Sequence, residues 1–199
     1  IMDHQIKLKI GLVKCVLIGD SNAGKTSLCN KLLYDKFYKY TENTIGVTYF
    51  KKNIKTEENN YSLQLWDLSG NPRFRVISYM YLRDSNIVFV LFDLNNYKID
   101  KINNLIKLIK DKSKNSKIIL IGNKLDLVKD KKEDIKNIID DNIEYLEISI
   151  KDNINIDKFN NILIKILDNL KKNDIKYYPK NKNKNKPKST RCCFNCINR

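Results

Sequence analysis

Apolar residues along the chain fall into two patterns. Leu12-Val13-Lys14-Cys15-Val16-Leu17-Ile18, Ile87-Val88-Phe89-Val90-Leu91-Phe92 and Lys117-Ile118-Ile119-Leu120-Ile121-Gly122 are short, largely apolar runs rich in β-branched residues. Runs of this length predict strands buried on both faces, as in the middle of a parallel sheet. Elsewhere apolar residues recur every three or four positions: Leu28, Leu32 and Leu33, then Ile102, Leu105, Ile106 and Ile109 within 99–110. From about residue 157 the same spacing holds for Phe159, Ile162, Leu163, Ile166, Leu167 and Leu170. Each set lies on one face of a helix. Val47–Thr56 and Tyr61–Trp66, joined by Glu57-Glu58-Asn59-Asn60, predict an antiparallel hairpin. A short helix is expected to end at about Arg83, another to span about 133–139, and a strand to end near Ile148. Residues 34–46 and 67–75 lack periodicity and read as loops. Alternating strands and helices predict an α/β, three-layer fold with a six-stranded, mostly parallel sheet and one antiparallel strand.

Ligands of such sheets sit at the carboxyl ends of the strands. Four predicted strand ends carry polar clusters: residues from Gly19, from Asp67, from Gly122 to Asp126, and from Ser149 to Lys151. The first is Gly19-Asp20-Ser21-Asn22-Ala23-Gly24-Lys25-Thr26, with the spacing G-x-x-x-x-G-K-[ST] between a strand and a helix. That context turns successive N–H groups towards a phosphate at the positive end of the helix. Asp20, Ser21, Asn22, Ala23, Gly24, Lys25, Thr26 and Ser27 are therefore the predicted phosphate cradle. Lys25 reaches the β- and γ-phosphates, and the Thr26 hydroxyl ligates Mg²⁺. The loop is a P-loop; it does not identify the base.

Asn123-Lys124-Leu125-Asp126 does. A carboxylate at Asp126 can accept hydrogen bonds from both N1–H and N2–H₂ of guanine. Adenine offers neither donor, and a buried carboxylate left unpaired costs about 1–3 kcal/mol. The Lys124 stem can cover one face of the base, with Phe37 at its edge.

Charge changes the picture at one end only. The formal net charge is +15, of which +9 falls between Lys171 and Arg199. Lys, Asn and Ile are abundant throughout, as an AT-rich coding sequence would produce, so the diffuse excess alone identifies no partner. Ile1 precedes Met2 and reads as a scar. No signal-peptide pattern and no apolar run long enough for a membrane span is found. Of five cysteines, Cys15 and Cys29 fall within predicted elements and three crowd the last eight residues, which is no disulfide framework and favours an intracellular setting. The chain divides into an N-terminal extension at 1–9, a nucleotide-binding domain at 10–172 and a disordered basic tail at 173–199.

These motifs resemble a Ras-superfamily small GTPase over roughly residues 10–172, and within it a Rab. The Rab likeness rests on Ile45-Gly46-Val47-Thr48-Tyr49, Leu63-Gln64-Leu65-Trp66-Asp67, Arg73-Phe74-Arg75-Val76-Ile77-Ser78 and Tyr81-Leu82-Arg83. These are similar to the Rab patterns IGVDF, KLQIWD, RFRSIT and YYR. The resemblance implies a G domain binding GTP or GDP with Mg²⁺. It implies Thr44 as a metal ligand and γ-phosphate contact, Asp67 as a metal ligand through water, and a Gly70 N–H on the γ-phosphate. Ser149, Ile150 and Lys151 complete the guanine site, and Lys25, Thr44 and Asn71 are the catalytic positions. Tyr49, Trp66 and Tyr81 form an exposed effector triad. Implied partners are effectors, an exchange factor, a GTPase-activating protein, a prenylation escort and a GDP-dissociation inhibitor. The implied setting is the cytoplasmic face of intracellular membranes, with the protein a monomer that binds no nucleic acid.

Three departures stand out. The family's water-positioning glutamine is Asn71 here, one methylene shorter, and the acid after it is Pro72, which fixes φ and lacks an N–H. Hydrolysis is therefore expected to be slow. Asn22 replaces a glycine of the P-loop and requires a left-handed backbone, which Asn accepts better than most residues. Ile150 replaces an alanine whose N–H alone is used. The ending Arg191-Cys192-Cys193-Phe194-Asn195-Cys196-Ile197-Asn198-Arg199 resembles the doubly prenylated cysteine pair of Rabs, with Cys192, Cys193 and Cys196 as candidates. A hydrolysis-deficient guanine-nucleotide-binding scaffold is the competing reading. A nucleic-acid binder fits less well, because the basic residues concentrate beside lipidation-like cysteines with no aromatic stacking platform.

Overall fold

A computed structural model describes residues 9–56, 59–129, 143–170, 175–179 and 192–193. Its elements are β1 (Lys9–Ile18), α1 (Lys25–Tyr34), β2 (Val47–Lys55), β3 (Asn60–Leu68), α2 (Arg75–Met80) and β4 (Ile87–Asp93). They continue with α3 (Ile99–Lys112), β5 (Lys117–Asn123), β6 (Glu144–Glu147), α4 (Ile156–Asn169), β7 (Lys176–Pro179) and β8 (Cys192–Cys193). The sheet runs β6-β5-β4-β1-β3-β2-β8. β1, β3, β4, β5 and β6 are mutually parallel, and β2 joins β3 antiparallel as the expected hairpin. The result is the expected α/β architecture of a P-loop G domain.

Strand alternation divides the core in two. Val13, Cys15 and Leu17 of β1 point to the face covered by α1 and α4, where they meet Leu28, Leu32, Phe159, Leu163 and Leu167. Val16 and Ile18 point to the other face, with Ile102, Ile106 and Ile109 of α3. A continuous apolar run is what a strand covered on both sides requires. Phe89 and Phe159 join sheet to helix with ring centroids 5.7 Å apart, both fully buried. Burying a side chain of this size stabilises the fold by roughly 1.5–3 kcal/mol.

One expectation changes. The segment from 173 onward reads in sequence as lacking regular structure, yet β7 and β8 lie within it. β1 uses residues 15–18 for β4, and its residues 9–12 on that edge pair antiparallel with β7. Bare edge N–H and C=O groups find a partner there. β8 pairs antiparallel with the outer edge of β2, setting Cys193 opposite Thr48 and Cys192 opposite Tyr49. The helix expected at 133–139, most of the N-terminal extension and Cys196 lie outside the described residues.

Candidate functional site

A cavity of about 490 Å³ opens at the carboxyl ends of β1, β3 and β5. It runs from the phosphate loop, past the loop before β2, to the turns after β5 and β6, a size suited to a small-molecule ligand. Ser21, Asn22, Gly24, Lys25, Thr26, Ser27, Phe37, Thr44, Gly70, Asn71, Asn123, Lys124, Asp126, Ile150 and Lys151 all line it. Ala23, Asp67 and Ser149 are buried behind that wall, whereas Asp20 is exposed beside it, 3.4 Å from Lys101 Nζ.

The P-loop is held by backbone conformations that its sequence permits. Asn22 takes φ +63°, the left-handed conformation its replacement of glycine demands. Gly24 sits at φ +97°, and a Cβ there would come within 2.1 Å of Asn123 Nδ2. Only glycine lets that side chain reach the loop. Lys25 opens α1 and is buried; its Nζ donates to the carbonyls of Gly19 at 3.0 Å and Asp20 at 2.7 Å. Burial pulls its pKa down, opposed by the nearby Asp67 and Asp20. A buried ammonium that holds only neutral carbonyls directly is ready to gain from an anionic phosphate.

Beside it three oxygens from three elements converge. Thr26 Oγ1 donates to Asp67 Oδ2 at 2.6 Å, Thr44 Oγ1 donates to the same oxygen at 3.3 Å, and the two hydroxyls are 3.1 Å apart. Asp67, at the end of β3, is fully buried. Two hydroxyls and a carboxylate are hard ligands, which fits Mg²⁺ and not a thiophilic metal. Thr44 can join them only because the loop before β2 folds over the cavity.

The base end is bound across elements. Asn123 Nδ2 donates to the Ala23 carbonyl at 3.0 Å, and Asn123 Oδ1 accepts from the Ile150 N–H at 3.3 Å. One buried amide thus joins the P-loop, β5 and the turn after β6. Asp126 Oδ1 accepts from Ser149 Oγ at 2.6 Å, and Lys151 Nζ lies 3.4 Å from Oδ2. Those bonds fix the carboxylate plane that would face a base edge. Lys124 Nζ reaches Asp93 Oδ2 at 2.7 Å, drawing its stem taut along the cavity. Phe37 is 39% exposed, a ring half in solvent.

The loop after β3 differs. Gly70 lies so close to the P-loop that a Cβ would meet Ser21 N at 2.3 Å. Asn71, next in line, turns onto its own chain: its side-chain carbonyl accepts from the Arg73 N–H at 3.0 Å. The Asn71 N–H donates to Ser69 Oγ at 3.3 Å. Pro72 opens a single 3-10 turn to Phe74, so Asn71 is its N-cap.

On the flank, Trp66 stands between Tyr49 at 4.9 Å and Tyr81 at 5.1 Å between ring centroids. The three rings meet as expected, but each is half-buried, and Trp66 and Tyr81 also pack against the core. Sequence reading missed Asp93, which positions Lys124, and Ser69, which holds Asn71. Asp93 was available from the strand-end rule, since it closes β4. A model of the Ras family matches residues 14–169, most of the chain.

Proposed function

Because this chain belongs to the Ras family, it is a small GTPase switch, and we propose that it is a Rab-like one that hydrolyses GTP slowly. In hydrolysis a water attacks the γ-phosphorus, the bond to the β–γ bridging oxygen breaks, and GDP and phosphate leave. Lys25 would offset charge on the β- and γ-phosphates, and Thr26, Thr44 and Asp67 would hold Mg²⁺, which would supply further positive charge there. Contacts from Thr44 and Gly70 to the γ-phosphate would order both switch loops, and its loss would release them.

The observation that carries slow hydrolysis is the Asn71 to Arg73 bond at 3.0 Å. A side-chain amide orients water with its carbonyl oxygen, and here that oxygen is turned onto its own chain, where it accepts from the Arg73 N–H. Pro72 holds the turn in place, so restoring the longer side chain alone would not free it. The Rab part is supported by the sequence patterns and by the contact of Tyr49, Trp66 and Tyr81, a surface for effectors that read the first and second switches. Exchange factor, activating protein, prenylation escort, GDP-dissociation inhibitor and membrane attachment through the terminal cysteines belong to the same proposal. So does vesicle transport at the cytoplasmic face of intracellular membranes.

Single-turnover hydrolysis of the GTP-loaded protein is the test. The N71Q/P72E double variant is expected to exceed wild type by about tenfold or more, as a restored positioning group would give. Equal rates in the two proteins would overturn the slow-clock reading. The same bond favours a second reading, a scaffold that no longer turns over. Turnover restored by an activating partner that supplies its own water-orienting group excludes the scaffold.

A further inference from the structure

Backbone alternation fixes which groups of β2 face outward. The Thr56 N–H donates to the Asn59 carbonyl at 2.9 Å, and the Ser69 N–H donates to the Gly46 carbonyl at 2.8 Å. Even-numbered residues of this segment therefore turn their backbone groups to β3, and odd-numbered ones turn theirs to the outer edge. Tyr49 is one of the latter. Opposite it on β3 stands Trp66, in the kind of pair that brings side chains close, in agreement with ring centroids 4.9 Å apart. Opposite it on the outer side stands Cys192 of β8, so Tyr49 and Cys192 present N–H and C=O to each other.

The tail comes to this edge from the other side of the sheet. β7 ends at Pro179, opposite Lys9, at the pole of the sheet away from the nucleotide cavity. β8 lies at the level of Val16, beyond β3 and β2. Strand rise and strand spacing put the two ends about 30 Å apart. Twelve residues separate Pro179 from Cys192, enough to span about 40 Å. The pairing therefore closes within one chain. From Cys192 to Asn198 the tail carries no charge, its longest such stretch. Of the basic tail, this is the part that can approach Lys51 and Lys52 of β2 without like-charge repulsion.

We propose that the terminal cysteine segment is an intramolecular latch: paired with Tyr49, it closes the outer edge of β2 to an extended segment of any partner protein. The place matters. Tyr49 carries one ring of the aromatic triad and lies on the strand that leaves the loop bearing Thr44. An open edge of N–H and C=O groups there would accept a foreign strand. Two rungs of ladder are a weak contact, each bond contributing about 1 kcal/mol. They hold because the tether keeps the segment at an effective concentration of millimolar order. Burial of a lipidated Cys192 or Cys193 in a bilayer would draw the segment off, so membrane attachment and opening of the partner face would be one event. That coupling rests on the Rab-like reading; the pairing does not.

Hydrogen exchange at the Tyr49 amide reads the latch directly. The full, unlipidated chain is loaded with GDP and Mg²⁺ under reducing conditions and followed by NMR. Cys192→Pro deletes the N–H that faces Tyr49 and should speed exchange there by about tenfold. Cys192→Ser keeps the backbone and should match wild type. Cys193→Pro deletes an N–H that faces away from β2 and should speed exchange by less than about threefold. A synthetic peptide of residues 188–199 stands in for a partner strand. It should bind Cys192→Pro at least about tenfold more tightly than wild type, whose own tail competes. Retained GDP, read with a fluorescent analogue, reports that each variant folds. Equal Tyr49 exchange in wild type and Cys192→Pro would overturn the latch, as would equal peptide affinity. Neither readout involves hydrolysis or lipid, so failure of the Rab-like reading would leave both unmoved.

Discussion

The base end of the cavity and the second switch loop both begin at strand ends, those of β5 and β3 with two strands between them, yet they are held in opposite ways. At the base end Asn123 bonds to residues 100 and 27 positions away in sequence, and Asp126 to residues 23 and 25 away. At the switch, the Asn71 side chain and the Ser69 hydroxyl bond only two positions away, while the Ser69 N–H donates to the Gly46 carbonyl at 2.8 Å. Cross-element bonds make a substitution costly, because each buried partner left behind loses its hydrogen bond. A loop bonded to itself can change its chemistry without disturbing its neighbours. Guanine recognition is therefore built into the fold, whereas the clock sits on a separable turn.

The sharpest way to break this contrast is Asp126→Ala. Removing a carboxylate that takes two charged hydrogen bonds should weaken GDP binding by about 10²–10³-fold, read by isothermal titration, with ADP scarcely changed. A loss below about fivefold would mean that the carboxylate does not face the base. Asn123→Ala leaves the Ala23 carbonyl and the Ile150 N–H buried without their partner. Chemical denaturation should show a loss of about 2–3 kcal/mol. Asn71→Ala, which removes only a cap, should cost about 0.5–1 kcal/mol. It should also leave hydrolysis within about threefold of wild type; a larger fall would show that Asn71 serves the water despite its bond to Arg73.

The smallest effect concerns pH. Burial raises the pKa of Asp93, but the Lys124 bond, the Asn95 N–H and the Lys124 charge outweigh it, and the net shift is downward. A carboxyl depressed in the folded state contributes stability above its unfolded value, near 4, and loses it as pH falls through the folded value. Asp93→Asn should therefore cost up to about 1 kcal/mol at pH 7, and the gap from wild type should close under acid. A gap that stays constant with pH would mean that Lys124 is not held by charge.

Much of this was legible in sequence where local pattern and packing agree. The strands at Ile18, Phe92 and Ile121 are apolar on both faces because both faces are covered, and α3 begins at Ile99 as its spacing predicts. The cavity followed from glycine, lysine and carboxylate positions at strand ends. What escaped depends on distant partners. Lys176-Tyr177-Tyr178-Pro179 has no alternation to mark a strand; it becomes one because the lower edge of β1 is open beside it. The cap at Asn71 is a local hydrogen bond, yet no periodicity distinguishes a side chain turned to its own backbone from one turned to the ligand.

β7 has a mechanical side. Its backbone bonds to β1 lie across the strand axis, and the chain departs at Pro179, the end facing Lys9. A pull on the tail away from the pole acts along that axis and loads the bonds in shear, all at once. A pull from the side opens them in turn, starting at Pro179. The joint withstands a tug in line and peels under one from the flank.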